Sequence, residues 1–411
     1  MRKYYIHIFL IILGTALYFL AHFQRVAVPA PIFDLMQSEL NVSATKITSF
    51  SAIFMYSYAL STLFCGILTD KFGGVKVLLF GSIIFSIGSI LFSNTDIIPL
   101  MYFARGLTGL GAATFYLGLL HEAKKCFPDK YFGVALSIIL FAGYTGGVCA
   151  NAPFVTASEI FGWKQTLNVI AIVSIIVTLL FIIVQHLLKN IHENDKVHIC
   201  FEPFKKVLSN KNNFYIFTFA ILCTGLHYVI MTVLGVKFLK DFLGYSLKSA
   251  SLVLSFLVII AAFSGVILAS LSKIIGNKRV IFLRFLAFSS LIVFSIISIC
   301  IMLNIKTSLI AGLILLLAIN GGNTPLTVPI IANTNSYEIR TTAISVMNSI
   351  SFVFVGLMAT FIGFLMDLFP IAGKLNGHII YSNKSYLTVF LFFVILAVVE
   401  IFMTFKIKEK I

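Results

Sequence analysis

Charge is scarce in this chain. Asp, Glu, Lys and Arg together make up 11% of the 411 residues, against about 25% in an average soluble domain. That shortage excludes a water-soluble globular protein. Acid is scarcer than base, with 15 Asp and Glu against 30 Lys and Arg and a net charge of +15. In a soluble protein this excess would point to nucleic acid, but no basic run here is interleaved with aromatics on a polar domain, so no nucleic-acid partner is expected. The six cysteines, Cys65, Cys126, Cys149, Cys200, Cys223 and Cys300, are dispersed without CxxC or Cys/His spacing. They give no metal site or disulfide framework, and no cofactor is implied. The chain also lacks HExxH, a P-loop, a nucleophile elbow and paired intramembrane acids, so it does not read as an enzyme.

What is abundant is apolar. Hydrophobic residues reach 59%, Phe alone numbers 42, and the mean hydropathy is +1.03. A bilayer core about 30 Å thick takes about 20 apolar residues per helix, so the chain has room for about twelve spans with short loops. They are expected at 5–33, 45–68, 75–92, from 99 to about 120, from 131 to about 157, 164–188, 214–237, 247–270, 280–303, 307–332, 341–368 and 386–405. The basic start and apolar run of 1–20 resemble a signal sequence, but the run continues through Ala30 without a convincing cleavage site and reads as a retained first span. The turn FGWK at 161–164 places an aromatic at an outer interface. Between 189 and 213 charges of both signs cluster as a solvated strap. The expected organisation is a bundle at 1–188, the linker at 189–213 and a second bundle at 214–411. With both termini cytoplasmic, most Lys and Arg fall on the cytoplasmic side, as the positive-inside rule requires.

One loop stands out. GILTDKFGGVK, Gly66 to Lys76, is a charged, glycine-rich break between two apolar runs. Gly66 would let helix backbones approach, Gly73 sits in the turn, Asp70 suits a neighbouring helix N-terminus, and Lys71 and Lys76 mark a cytoplasmic edge. The plainer reading is a short basic loop between two spans. A degraded copy, ASLSKIIGNKR, follows at an offset of 203 residues, with Ala269 on Gly66, Gly276 on Gly73, Arg279 on Lys76 and Lys273 in place of Asp70. The pattern resembles the loop between helices 2 and 3 of the major facilitator superfamily of secondary transporters. RGLTGLGAA (Arg105 to Ala113) is similar to the helix 4 pattern of that superfamily, and GYTGG (Gly143 to Gly147) with Pro153 partly matches a helix 5 signature. The likeness covers nearly the whole chain. It implies an all-α membrane protein of twelve helices in two pseudo-symmetric six-helix bundles, with substrate bound near the midplane, and Asp70, Lys71 and Lys76 in a conformational switch.

The candidate substrate groups start in the first span. Tyr18, His22, Arg25 and Pro29 follow at offsets of four, three and four, which puts them on one helix face. A charge in such a helix costs at least about 2.5 kcal/mol on insertion scales, so Arg25 either faces a cavity or is paired structurally near the outer end. The offset of 203 carries Gln24 and Arg25 onto His227 and Tyr228. Asn320 and Asn323 share a face, and Gly321, Gly322 and Pro325 mark a locally broken helix. Arg105, Tyr116 and Tyr144 complete the set, each of these tyrosines equally readable as a packing aromatic. With two mid-span arginines and no carboxylate read as equally deep in any span, the ligand expected is an anion, met by the planar guanidinium.

The function expected is secondary active transport of a small organic anion by alternating access, as proton-coupled symport or anion exchange. Proton-coupling candidates are Asp34, Glu122 and His121, besides His22 and His227. Asp34 and Glu122 stand near helix ends where both could simply be solvated. The alternatives are an exporter of drugs or a siderophore and, in another class, a membrane sensor. Abundant Ile, Lys, Asn and Phe point to an AT-rich genome and a bacterial cytoplasmic membrane, with a monomer sufficient for function.

Overall fold

The computed structural model describes residues 2–186, 202–336, 339–375 and 378–409. Most of the 189–213 strap lies outside these residues. In chain order the helices are α1 (Arg2–Ala27), α2 (Phe33–Leu40), α3 (Ala44–Phe72), α4 (Gly74–Ser93), α5 (Ile98–Cys126), α6 (Asp129–Cys149), α7 (Ala152–Phe161), α8 (Trp163–His186), α9 (Glu202–Ser209), α10 (Lys211–Val229), α11 (Gly235–Leu243), α12 (Leu247–Ile274), α13 (Arg279–Met302), α14 (Leu309–Leu317), α15 (Thr324–Thr334), α16 (Arg340–Asp367) and α17 (Asn383–Lys406). A two-stranded antiparallel hairpin, β1 (Gly373–Leu375) and β2 (His378–Ile380), pairs Lys374 with Ile379. Among the described residues, 11 helical segments are long and apolar enough to cross a membrane. The expected span from residue 99 forms the 29-residue α5, whose Arg105 and glycines lower its apolar content below that of those 11. The chain is an all-α, multi-pass membrane protein.

Spans expected to be continuous are broken where the sequence interrupts the backbone ladder. The first ends at Ala27 rather than 33, because Pro29 and Pro31 bring no amide donors; the Val28–Pro29 peptide is cis, and a 3-10 turn at Ala30–Ile32 leads into α2. The fifth stops at Cys149 and restarts as α7 with Pro153 in its first turn, the position a helix tolerates best. The seventh carries a π-helical stretch, Ile230–Leu234, between α10 and α11. The tenth is broken as expected: Ala318–Asn323 is 3-10 helical between α14 and α15.

The chain forms two compact units, Met1–Ala27 with Ile53–Ile199 and Val28–Ala52 with Cys200–Ile411. In the first, α5 packs along α4, and α1 packs on α5, α6 and α8. Lipid offers no hydrophobic drive between helices, so association depends on close packing. A Cβ on Gly109 would stand 2.4 Å from the Phe54 carbonyl oxygen, one on Gly111 2.4 Å from that of Gly81, and one on Gly146 2.2 Å from that of Phe19. The glycines of α5 and α6 therefore seat α5 on α3 and α4, and α6 on α1. Gly66 does not act in this way, since a Cβ there would meet nothing within 4 Å. Of the two aromatics in the 161–164 turn, Phe161 is exposed, and Trp163 is buried with its ring centroid 6.3 Å from that of Phe92. In the second unit α13 packs on α17, and α10 packs on α16 and α17, around Phe219, Leu283, Leu286 and Ile330. Ile172, Ile176, Leu179 and Ile183 form an exposed apolar stripe along α8, a face suited to lipid.

The glycine contacts separate two substitutions. Gly146→Ala should cost about 1–3 kcal/mol through overpacking against the Phe19 backbone, whereas Gly66→Ala should stay within about 0.5 kcal/mol of the parent. Thermal unfolding in detergent reads both, and equal losses would show that the approach of α6 to α1 is not what stabilises this unit.

Candidate functional site

In the first unit, Tyr18, His22 and Arg25 lie on α1, while Pro29, expected on the same face, stands beyond the end of that helix. The Tyr18 and His22 rings lie 4.5 Å apart between centroids, Tyr18 and Tyr116 5.9 Å, and His22 and Tyr144 6.4 Å. These side chains come from α1, α5 and α6, and Gly143 leaves space for the Tyr18 ring, whose Cε1 would be 2.6 Å from a Cβ there. Arg25, only 3% exposed, lies with Cζ 4.3 Å from the Tyr58 ring centroid and 5.8 Å from that of Phe54. Guanidinium stacked on an aromatic face is a favourable use of the ring quadrupole. Tyr58 was not singled out from the sequence; its spacing of four from Phe54 on α3 was the available signal.

Arg105 is placed differently. It is fully buried, its Nη1 donates to the Gln24 carbonyl oxygen at 3.1 Å, and its Cζ lies 4.7 Å from the Phe54 ring and 5.6 Å from the Phe92 ring. It thereby ties α5 to the α1 backbone one residue before Arg25.

In the second unit, the expected polar residues meet around the broken helix. His227 is 4% exposed and lies beside Gly321, where a Cβ would be 3.1 Å from its Nε2. The Tyr228 ring packs on Phe352. Asn320 Nδ2 donates to Ser290 Oγ at 2.7 Å, and Asn323 Nδ2 donates to the Asn320 carbonyl at 2.8 Å and to Thr224 Oγ1 at 3.3 Å. These contacts fasten Ala318–Asn323 to α10 and α13. The expectation of no deep carboxylate is corrected here: Glu400, on α17, is fully buried.

The glycine-rich loop turns at Gly73, whose φ of 82° is left-handed and favours glycine. Lys71 and Lys76 are exposed, and the side chain of Asp70 lies outside the described residues. Glu122 is not solvated: it is 4% exposed, its Oε1 accepts from the Val75 amide at 3.2 Å, and Oε2 stands 3.7 Å from His7 Nδ1. It answers an orphan donor at the N-terminus of α4. The neighbouring His121 is half-buried. In the second copy of the loop, Glu409 serves the N-terminus of α13, accepting from the Arg279 and Val280 amides at 3.1 Å each.

Asp34 is likewise not solvated. It is 4% exposed and pairs with Lys237 at 2.6 Å and with Lys240. Lys237 also binds Asp241 at 2.8 Å and donates to the Ile379 carbonyl. Asp241 accepts from Tyr386 Oη at 2.7 Å and from the Tyr381 amide at 3.0 Å, while Gln37 Nε2 donates to Tyr381 Oη at 2.6 Å. Burial pushes the Asp34 carboxyl up, but the two ammonium groups outweigh it and hold the group below its ordinary value. The network joins α2, α11, α17 and the β2 hairpin strand within one unit.

Comparison with known proteins locates this architecture. The family model described as Major Facilitator Superfamily matches residues 11–289. Among curated proteins, the chain is 29% identical over 163 residues to the uncharacterized transporter YybO of Bacillus subtilis and 25% identical over 167 residues to the probable sulfoacetate transporter SauU of Cupriavidus necator. These segments cover 39% and 40% of this chain and only 37% and 38% of the relatives. Other matches are named as multidrug resistance proteins. A solved bacterial homolog of the human lysosomal transporter Spinster, inward-facing and unoccupied, superposes with a TM-score of 0.75 at 15% identity, covering 98% of this chain and 99% of that one.

The Asp34 network sets a pH dependence. Because the folded carboxyl titrates below the unfolded one, its contribution is complete above about pH 4 and is lost as pH falls through the folded value. Asp34→Asn should cost about 3–5 kcal/mol near neutral pH, the scale for breaking a buried pair, and should flatten that acid limb. Thermal unfolding across pH reads both effects; an unchanged acid limb would remove Asp34 from the linkage.

Proposed function

The chain belongs to the major facilitator superfamily, and from that premise we propose that it carries a small organic anion across the membrane, with Arg25 as the group that holds it. The observation that supports this reading is a guanidinium buried in a membrane-spanning helix against Tyr58 and Phe54, close to a cluster of Tyr18, His22, Tyr116 and Tyr144 whose phenol and imidazole groups can hydrogen-bond a solute. Such a group recognises a carboxylate or sulfonate through paired N–H donors, while the phenol and imidazole groups orient the remainder of the solute. Arg105 acts as a positioning residue, fixing the Gln24 carbonyl and so the register of Arg25. His227, Tyr228, Asn320 and Asn323 line the corresponding region of the second unit, and Asp70, Lys71 and Lys76 bias the exchange between access states.

Transport by alternating access fits the membrane-spanning architecture, and the reading is of a transporter rather than an enzyme. The similarity of this chain to a relative named as a probable sulfoacetate transporter supports the anionic class. A bacterial cytoplasmic membrane, both termini inside and a functional monomer complete the proposal. The second reading is export of drugs or a siderophore, favoured by the multidrug-resistance matches and by the aromatic surroundings of Arg25. The bundles at 1–188 and 214–411 remain the proposed halves.

A thermal-shift series on the detergent-solubilised protein tests the proposal, with sulfoacetate, small dicarboxylates, sugar acids, neutral sugars and bulky lipophilic cations as probes. A bound ligand at a hundredfold excess over Kd stabilises by about 2.7 kcal/mol. Stabilisation by an anion is expected in the parent, abolished in Arg25→Ala and weakened at least about tenfold in affinity in Arg25→Lys, which loses the bidentate fork. Stabilisation only by neutral or bulky cationic compounds, unchanged in Arg25→Ala, would overturn the anion reading in favour of export.

A further inference from the structure

Glu400 is a buried acid that the anion site does not use. It lies on α17, which packs on α10, α13 and α16. The residue is fully buried and neither carboxylate oxygen accepts a hydrogen bond among the described residues. The Ser290 hydroxyl of α13 is the polar group within reach of it; the same hydroxyl has the Leu286 carbonyl as an acceptor at 3.1 Å, and its oxygen accepts from Asn320 Nδ2 at 2.7 Å. Asn320 Oδ1 is buried and also lacks a donor, while the Asn320 carbonyl receives the Cys223 thiol at 3.7 Å.

The other ionisable groups do not balance this acid. From α10 the titratable group that senses Glu400 is Cys223; His227 stands one turn further on, beside Gly321. On α13, Arg279 binds Glu409 and Arg284 lies over the Phe405 ring. Arg340 and Asp367 are at the two ends of α16. No ion pair to Glu400 occurs among the described residues. Acceptors therefore outnumber donors around the junction of α17, α13 and the 3-10 segment, and the missing partner is a small cation. Hard metal cations collect about six oxygens, and here Ser290 is already engaged while the remaining polar atoms belong to one carboxylate and one amide. A proton needs only one oxygen.

Resting on the transporter reading above, we propose that Glu400 is the residue that takes up and releases the coupling proton, and that its state is read by Ala318–Asn323 through Ser290 and Asn320. Uptake forms one O–H bond on the carboxylate with a proton drawn from water on one side of the membrane; release returns that proton to water on the other. An ionised carboxylate competes with the Leu286 carbonyl for the Ser290 proton, and a protonated one withdraws that competition. Turning the hydroxyl alters the acceptor offered to Asn320, whose backbone lies in the broken stretch of the tenth span. A non-α segment of this kind is a natural element to carry two arrangements.

Infrared difference spectra of the reconstituted protein between acidic and alkaline buffer test this without any substrate. The parent should show a protonated-carboxyl C=O band that is lost at alkaline pH and shifts in deuterated buffer. That band should be missing from Glu400→Gln, moved but present in Glu400→Asp, and altered in its titration in Ser290→Ala. It should persist in Arg25→Ala, so failure of the anion assignment leaves it in place. Identical difference spectra for the parent and Glu400→Gln, or a band unmoved in Glu400→Asp, would overturn the proposal. So would loss of the band on adding sodium at constant pH, which would assign the site to a metal cation.

Discussion

An ionised side chain taken out of water into an apolar bundle must be met by something inside the bundle, since insertion alone costs at least about 2.5 kcal/mol for Arg, Lys or Asp at a helix centre. This chain meets that constraint in distinct ways. Lys237 is surrounded by Asp34, Asp241 and a backbone carbonyl, and the two acids receive further donors from Lys240, Tyr381 and Tyr386. Charge and hydrogen-bond capacity are both satisfied there, which makes the network a clamp. Arg105 is met by a carbonyl and two aromatic faces, a solution that fixes one helix backbone against another. Arg25 and Glu400 differ from these. Arg25 lies against the Tyr58 and Phe54 rings, and Glu400 lies beside a serine hydroxyl that the Leu286 carbonyl also reaches.

The backbone obeys the same constraint. Carbonyls and amides at membrane depth have to be satisfied internally, so departures from the α-helix occur where protein surrounds them. The 3-10 stretch Ala318–Asn323 is held by Asn320 and Asn323 side chains and lies against α10, α12 and α13. The N-terminus of α3 is answered by Asp367, whose oxygens accept from the Ala44 and Thr45 amides at 3.1 and 2.8 Å. Breaks and caps thus form polar islands in an otherwise apolar scaffold, and the candidate functional residues are drawn from those islands.

Much of the fold was legible because it is written in hydropathy and glycine. Apolar runs of membrane length placed the spans, and the AINGGN sequence announced the break in the tenth. The face made by Tyr18, His22 and Arg25 followed from helical spacing alone. What remained hidden were properties of three-dimensional neighbourhoods. Glu122 and Asp34 looked solvated because each stands near a helix end, yet both are buried by segments distant in sequence. Gly66 looked like a packing glycine from its motif, and only the contacts show open space beside it. Glu400 was missed since a single acid near the end of a span carries no periodic signal, and Tyr58 since a tyrosine two residues from Tyr56 in an aromatic-rich span reads as packing.

The two copies of the charged loop show how a repeat can preserve a physical task while changing the residue that performs it. In the first copy, the N-terminus of α4 receives its negative charge from Glu122 on α5. At the matching position of the second copy, the N-terminus of α13 receives it from Glu409, beyond the end of α17, and the same carboxylate binds Arg279 at 3.4 Å. Both solutions place an acid against orphan amides and a positive helix end, a contribution of about 0.3–1 kcal/mol in exposed settings and more when partly buried. They differ in what they connect: one joins neighbouring helices of a bundle, and the other ties a helix start to the last residues described. Glu409 thus takes the part that Glu122 plays in the first copy, whatever residue stands at the loop position of Asp70 and Lys273, and the two helix starts are tied to different parts of the chain.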